Sequence, residues 1–244
     1  MTENQLKHLA IIMDGNNRWA KKQGKQGIFG HKAGVERIRD VLEACRARGV
    51  SVLTLFAFSS ENWQRPPREV EALMGLFYSY LKNEARKLAD KGVRLKVIGR
   101  RDRFSARLSK AIDKAESIAS EGDLTVVIAA DYGGCWDITE ATKRVARAHA
   151  DGQVALDEIS ESSLSQYIST SEFPPLDLLV RTGGEYRISN FLLWQAAYAE
   201  LYFSPLLWPE FGTDALNLAV DEFYSRQRRY GKTSDQIISE GELA

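Results

Sequence analysis

The chain of 244 residues carries 33 Lys plus Arg against 33 Asp plus Glu, with 44% hydrophobic and 27% charged residues. A zero balance argues against a protein that coats nucleic acid, a mode that needs a cationic surplus facing phosphates, and it leaves room for a local basic pocket. Two cysteines are too few for a disulfide framework and fit a reducing compartment, and the length suits one α/β domain spanning residues 1–244.

Glu3 and Lys7 place charge where a secretory signal would be apolar. No apolar run reaches the ~20 residues of a spanning helix; the longest candidate, Phe191 to Phe203, is broken by Gln195 and Glu200. A cytoplasmic protein is expected, with peripheral contact to a membrane left open. Short apolar runs then alternate with segments of helical period, the βα signature of a parallel sheet. The first strand is His8 to Met13, followed by a helix with Val35, Ile38, Leu42 and Cys45 on one face, stopped by Gly49. The second strand is Val52 to Phe58. A long helix follows Pro66 and Pro67, with Val70, Leu73, Met74, Phe77, Leu81 and Leu88 in line. Such a stripe reads as core, and periodicity alone does not distinguish it from the wall of an apolar ligand site. The third strand, Val93 to Ile98, alternates with Arg94 and Lys96 and so is half exposed. A helix over Ser105 to Ala119, a strand over Leu124 to Ala130 and a helix around Asp137 to Ala148 come next. Strands at Leu176 to Val180 and Leu201 to Phe203 and a helix from Thr213 to Arg229 complete the pattern.

Four of the segments that follow strands share a character: Asp14-Gly15-Asn16-Asn17-Arg18-Trp19, Ser59-Ser60-Glu61-Asn62-Trp63-Gln64-Arg65, Asp131-Tyr132-Gly133-Gly134, and Arg181-Thr182-Gly183-Gly184-Glu185-Tyr186-Arg187-Ile188-Ser189-Asn190. In an open parallel sheet these turns gather at the carboxyl edge, where ligands bind. Glycine lets backbone N–H groups approach an anion, and arginine supplies a two-pronged donor for phosphate. Each segment alone reads as a turn; four with Arg18, Arg65, Arg181 and Arg187 point to a phosphorylated ligand. Gly231-Lys232-Thr233 ends like a phosphate loop, but Arg226 stands where its first glycine belongs. His31, read as standing at a helix start, either helps hold phosphate or is a surface histidine; His8 and His149 read as structural. Cys45 reads as a core thiol, and Cys135 has no base beside it in sequence. No His/Cys cluster has zinc spacing, so a metal would be a hard ion held by oxygens. Asp14 is the candidate ligand, its alternative role being a helix cap.

At these segments the chain resembles the cis-prenyltransferase family, most closely its bacterial branch. The resemblance runs from His8 to about Gly231, through His8-Leu9-Ala10-Ile11-Ile12-Met13-Asp14-Gly15-Asn16, Gly30-His31-Lys32-Ala33-Gly34, Phe56-Ala57-Phe58-Ser59-Ser60-Glu61-Asn62-Trp63, the Arg181 segment and Glu200-Leu201-Tyr202-Phe203. It implies an α/β fold with a six-stranded, mainly parallel sheet and helices around an apolar tunnel, in a homodimer. It also implies a Mg²⁺-dependent transferase that adds isopentenyl diphosphate repeatedly to farnesyl diphosphate, giving undecaprenyl diphosphate for the cell-wall lipid carrier. By position it implies Asp14 as metal ligand and central catalytic residue, and Glu200 as a second metal-associated carboxylate acting across the dimer. It places the allylic diphosphate on Gly15, Asn16, Asn17 and Arg18, with Trp19 and His31 near it. Ser59, Ser60, Glu61, Asn62, Trp63 and Arg65 fall in a mobile substrate loop. Arg181, Arg187, Ile188 and Ser189 fall at the isopentenyl diphosphate. The resemblance offers Asn62 as a proton acceptor, but a neutral amide is a poor base, and phosphate oxygen or Asp14 with water are the alternatives.

Four positions depart from the family pattern. Asn17 replaces a frequent Gly, and Gly27 stands where many members have Arg, so that Lys25 or Lys32 would have to supply the phosphate contact. Asp131 replaces the usual Asn, adding negative charge near the site, and Tyr186 a frequent His. The alternatives are a synthase of shorter cis chains and a non-catalytic subunit that binds prenyl diphosphates.

Overall fold

The computed structural model describes residues 5–227. Its centre is one six-stranded sheet in the order β3-β4-β2-β1-β5-β6. The strands are β1 His8–Ile12, β2 Val52–Ser59, β3 Val93–Ile98, β4 Leu124–Tyr132, β5 Leu178–Arg181 and β6 Glu200–Phe203, and every pairing is parallel. The helices are α1 Asn16–Lys22, α2 Gly27–Ala47, α3 Pro67–Asp90, α4 Ala106–Ile118, α5 Gly134–Ala150, the single turn α6 Glu161–Ser165, and α7 Thr213–Ser225. The expected fold class is the one observed.

Parallel strands covered on both faces become unbroken apolar runs. Leu9, Ile11, Leu53 and Leu55 pack into one core with α2 and α3, while Ala10, Ile12 and Val52 pack with Leu179, Phe191 and Leu192 into the other. The edge strand β3 keeps the expected alternation, with Arg94 and Lys96 half-buried, and charge on an edge deters pairing with another chain. Pro67 is the first residue of α3, where its missing N–H goes unnoticed. Cys45 is buried in the core, and that burial pushes its thiol pKa up.

Several boundaries differ from the expectation. α1 lies where the sequence pattern predicts a turn: it has seven residues, no side-chain cap and one buried residue, Ala20, so it has no apolar period to read. β1 ends at Ile12 and not Met13, β2 and β4 run on to Ser59 and Tyr132, and β5 starts at Leu178 rather than Leu176. α5 starts at Gly134, ahead of the expected Asp137. α2 starts at Gly27, so His31 lies a full turn inside it and the helix-start argument for that residue does not apply. The last helix ends at Ser225; Arg229 and Gly231-Lys232-Thr233 lie outside the described residues.

The strand order decides what meets at the carboxyl edge. β1 lies between β2 and β5, so the turns carrying Asp14, Ser59–Arg65 and Arg181–Asn190 stand side by side. β4 and then β3 continue the row, bringing Asp131 and the segment after Ile98 next to the β2 turn.

At the opposite end, fully buried His8 bridges the Pro174 carbonyl, 2.9 Å from Nδ1, and the Thr54 hydroxyl, 2.8 Å from Nε2. The carbonyl can only accept, so the neutral ring carries its proton on Nδ1 and accepts from Thr54 at Nε2. Burial lowers the His8 pKa from 6.5 to about 4, against the raising effects of the Pro174 hydrogen bond and the Asp177 charge. The unfolded chain therefore takes up a proton here at higher pH than the folded one. Stability falls as pH drops from 6.5 toward about 4, by an amount of about 3 kcal/mol from this group. In urea denaturation at pH 7, 5.5 and 4, a His8→Gln variant is expected to start less stable but lose less on acidification. Parallel losses in both proteins would contradict the assignment.

Candidate active site

Asp14 follows β1 and is fixed by its own backbone: its carbonyl accepts from the Trp208 N–H at 2.9 Å and the Thr182 hydroxyl at 2.8 Å. Its carboxylate, 31% exposed, accepts from Arg181 Nη2 at 2.9 Å and lies 3.3 Å from Arg18 Nη2, one turn along α1. Arg181 ends β5 and is itself buried. Its Nη1 donates to Ser189 Oγ at 2.8 Å and to the Arg187 carbonyl, so one guanidinium ties β1 to the segment after β5. That use of several donors in one plane is specific to arginine. Glu185 lies 2.6 Å from Arg187 Nη1 and 3.8 Å from Arg18 Nη1. Gly183 has φ +92°, and a Cβ there would lie 2.5 Å from Arg18 Nη2. The glycine thus serves both the turn and the approach of the arginine.

Asp14, Arg181, Arg187 and Ser189 of this cluster line the mouth of a cavity of about 740 Å³ that runs between the sheet, α2 and α3. Its polar end holds Asp14, Asn16, His31, Ser59, Glu61, Asn62, Arg65, Arg181, Arg187, Ser189 and Asn190; its depth is walled by Val35, Ile38, Leu55, Leu73, Met74, Phe77, Tyr80 and Ile128. Of the stripe on α3, therefore, Leu73, Met74 and Phe77 face the cavity and Leu81 is core. A polar, cationic mouth over an apolar shaft suits a ligand with an anionic head and a hydrocarbon tail.

The other expected residues fall around this mouth. Asn62 Oδ1 accepts from the Ser59 N–H at 3.2 Å, closing a capping box over Ser60–Gln64, so the amide oxygen is engaged and its NH₂ is what a ligand can use. Ser60 Oγ is buried without a partner, Trp63 packs edge-on against Phe58, and Ile188 packs into the core beside Phe191. Trp19 is half-buried on α1 and lines neither this cavity nor the cleft beside it. His31 borders both. Its pKa is lowered to about 4 by burial first and the Arg65 charge second, with Glu69 opposing, and its Nε2 is buried without a partner. A neutral ring nitrogen without a protein partner can accept or donate one hydrogen bond to a ligand. Tyr186 is exposed and leans on Phe203.

The departures at 17 and 27 turn out to be neighbours. A Cβ on Gly27 would fall 2.2 Å from Asn17 Oδ1, so the Asn17 side chain occupies the space a larger residue 27 would need. Lys21 and Arg68, not Lys25 or Lys32, line the cleft next to it, and Lys32 lies over the Phe29 ring. The Asp131 departure adds no net charge to the site, because that carboxylate is fully buried and ion-paired with Arg103. Sequence reasoning missed Trp208, which donates to the Gly34 carbonyl at 2.8 Å as well as fixing Asp14, and Asn190, which donates to Glu61 at 2.8 Å. Trp208 lies in the segment that follows β6, where no glycine or arginine marks a ligand turn; Asn190 closes the Arg181 segment.

Among the described residues no three His, Cys, Asp or Glu side chains cluster as a ready metal site. Asp14, partly exposed at the cavity mouth between arginines, suits Mg²⁺, which is held by one or two carboxylates with ligand phosphates and water completing its shell. Glu200 is not brought to it within one chain: it lies at the amino end of β6 and pairs with Arg226 at 2.9 Å. No described helix is long and apolar enough to cross a membrane.

Comparison with known proteins agrees with this architecture. A family model described as "Putative undecaprenyl diphosphate synthase" matches residues 12–231. The ditrans,polycis-undecaprenyl-diphosphate synthase ((2E,6E)-farnesyl-diphosphate specific) of Pseudomonas aeruginosa is 54% identical over 235 residues, covering 96% of this chain and 94% of that protein. The crystal structure of lavandulyl diphosphate synthase from Lavandula x intermedia with dimethylallyl diphosphate is similar at a TM-score of 0.91 and 34% identity, over 94% of this chain and 100% of that one. A probable undecaprenyl diphosphate synthase from Campylobacter jejuni is similar at a TM-score of 0.78 and 34% identity, over 95% and 100%.

Proposed function

We infer the reaction from one premise: the chain belongs to the cis-prenyltransferase family, alongside the bacterial undecaprenyl diphosphate synthases. It is a transferase that condenses isopentenyl diphosphate units onto farnesyl diphosphate to build undecaprenyl diphosphate. The observation that supports this most is the pairing of Asp14 with Arg181 at the mouth of an apolar cavity of about 740 Å³.

The allylic C–O bond breaks to leave a carbocation and a diphosphate. The alkene of isopentenyl diphosphate attacks that carbon, and the adduct loses a proton. The N–H groups opening α1 at Asn16 and Asn17 lack acceptors within the helix and, with Arg18 and neutral His31, receive the allylic diphosphate. Arg181, Arg187 and Ser189 receive the isopentenyl diphosphate, so Arg181, which touches Asp14, sets the distance between the two heads. Asp14 would hold Mg²⁺ together with the allylic diphosphate; bound there, the ion neutralises charge building on the leaving group. Ser59, Glu61, Asn62 and Arg65 cover the mouth, with Asn62 donating through its NH₂. The proton then goes to a phosphate oxygen, because the Asn62 carbonyl is occupied and an amide is not basic. The shaft holds the growing chain and keeps water from the cation. Homodimer formation belongs to the same reading, since Glu200 reaches an Asp14 site only from another copy; sedimentation at the mass of one chain would remove that part.

Incubation with radiolabelled isopentenyl diphosphate, farnesyl diphosphate and MgCl₂ is expected to give a long-chain cis polyprenyl diphosphate by mass spectrometry. Folded protein that leaves farnesyl diphosphate unextended would overturn the reading; a short product would move it to a synthase of shorter chains.

A further inference from the structure

One ion pair at the carboxyl edge has no task in that reaction. Asp131, the penultimate residue of β4, is fully buried and adopts φ +52°, a left-handed conformation that Asp tolerates better than most residues. Both arms of Arg103 grip its carboxylate, Nε reaching Oδ2 at 2.8 Å and Nη2 reaching Oδ1. The Asp131 carbonyl accepts from the Arg100 N–H at 3.0 Å, so the turn after β3 is fastened to the end of β4 by backbone and side chain together. The Arg103 guanidinium then lies over the Trp63 ring, 5.2 Å from its centroid. Trp63 sits in the Ser60–Gln64 turn and packs edge-on against Phe58 at 5.3 Å and beside Phe104 at 6.3 Å.

The result is a stack across three adjacent strands: a buried anion on β4, a cation from the β3 turn, and an aromatic ring from the β2 turn. A carboxylate out of reach of water needs its counter-charge, so Arg103 is pinned. Its planar guanidinium can pair edge-on with Asp131 and still present a face to an indole, which an ammonium cannot do. Trp63 lines no part of the cavity, but its neighbours Ser59, Glu61, Asn62 and Arg65 do. What holds the indole therefore holds the polar lip of the site. The Glu61–Asn190 hydrogen bond at 2.8 Å also ties this turn to the opposite lip, in a more exposed position.

We propose that Arg103, anchored on buried Asp131, is a positioning residue that keeps the Ser60–Gln64 turn in its ligand-receiving arrangement through the face of Trp63. The choice of substrates for testing it rests on the function inferred above; the geometry does not.

The test compares wild type with Arg103→Lys and with Arg103→Met/Asp131→Asn, a double variant that leaves no buried charge without its partner. In the double variant the turn opens more often. KM for isopentenyl diphosphate is expected to rise about tenfold while kcat stays within about twofold, because saturating substrate draws the turn closed again. Backbone amides of residues 60–64 should exchange faster in the ligand-free variant and regain protection when inorganic pyrophosphate and Mg²⁺, or both substrates, are present. Arg103→Lys, with charge but no planar fork, should fall between. Unchanged KM and unchanged exchange would overturn the proposal. So would a lower melting temperature with reduced kcat, constant KM and protection lost evenly across the sheet, which is the signature of a purely structural pair. If wild type itself made no polyprenyl product, the inferred function would fail, while the ligand-free exchange comparison would still decide the role of Arg103.

Discussion

Exchange of Asp14 for asparagine is expected to lower kcat by about a thousandfold or more while the fold survives. The substitution keeps the shape of the side chain and leaves the Asp14 carbonyl on Trp208 and Thr182. It removes the carboxylate that pairs with both Arg181 and Arg18, and with it the charge that would bind Mg²⁺. The loss should fall on kcat rather than on diphosphate affinity, because Arg181 and Arg18, relieved of their carboxylate, remain available to phosphate. Single-turnover rates beside calorimetric binding of farnesyl diphosphate separate the two. A variant within about tenfold of wild type would place the metal elsewhere.

Arg181→Lys carries the second large effect: KM for isopentenyl diphosphate should rise about a hundredfold, with a smaller change in kcat. The guanidinium reaches Asp14, Ser189 and the Arg187 carbonyl at once, and an ammonium on a flexible stem cannot hold all three in the same directions. Because the side chain is buried, the variant should also melt earlier. Raised KM with an unchanged melting temperature would assign Arg181 wholly to substrate. A lowered melting temperature with normal KM would assign it wholly to the scaffold and contradict the reaction scheme.

Strands were legible where both faces are covered, because such segments are mostly apolar; β1, the first half of β2 and the body of β4 are of this kind. The half-exposed β3 was legible for the opposite reason, its alternation with Arg94 and Lys96. α1 was not, since its single buried residue leaves nothing periodic and Gly15-Asn16-Asn17 has turn composition. The start of α5 was hidden by Gly133 and Gly134. At the mouth, Asp14, Arg181, Arg187 and Ser189 could be read because their chemistry sits in the turn that ends each strand. Arg103 could not, because its meeting with Asp131 and Trp63 depends on β3, β4 and β2 lying in that order, which no local pattern encodes. Leu73, Met74 and Phe77 mark a different limit, since a helix facing a core and one facing a ligand shaft repeat with the same period.

The cations at and beside the mouth are paired with carboxylates: Asp14 takes Arg181 and Arg18, and Glu185 takes Arg187 and Arg18. The mouth thus works as an ion exchanger whose resident counter-ions are its own carboxylates. On the proposed placement of the substrates, an arriving diphosphate would swap with Glu185 rather than dock on bare cations, and its affinity would reflect the difference between two anions. Prenyl alcohols, which bring no charge, would not drive the swap, and monophosphates, with fewer oxygens and less charge, would drive it weakly. On that placement, selection for the doubly phosphorylated head would follow from this competition between carboxylate and phosphate.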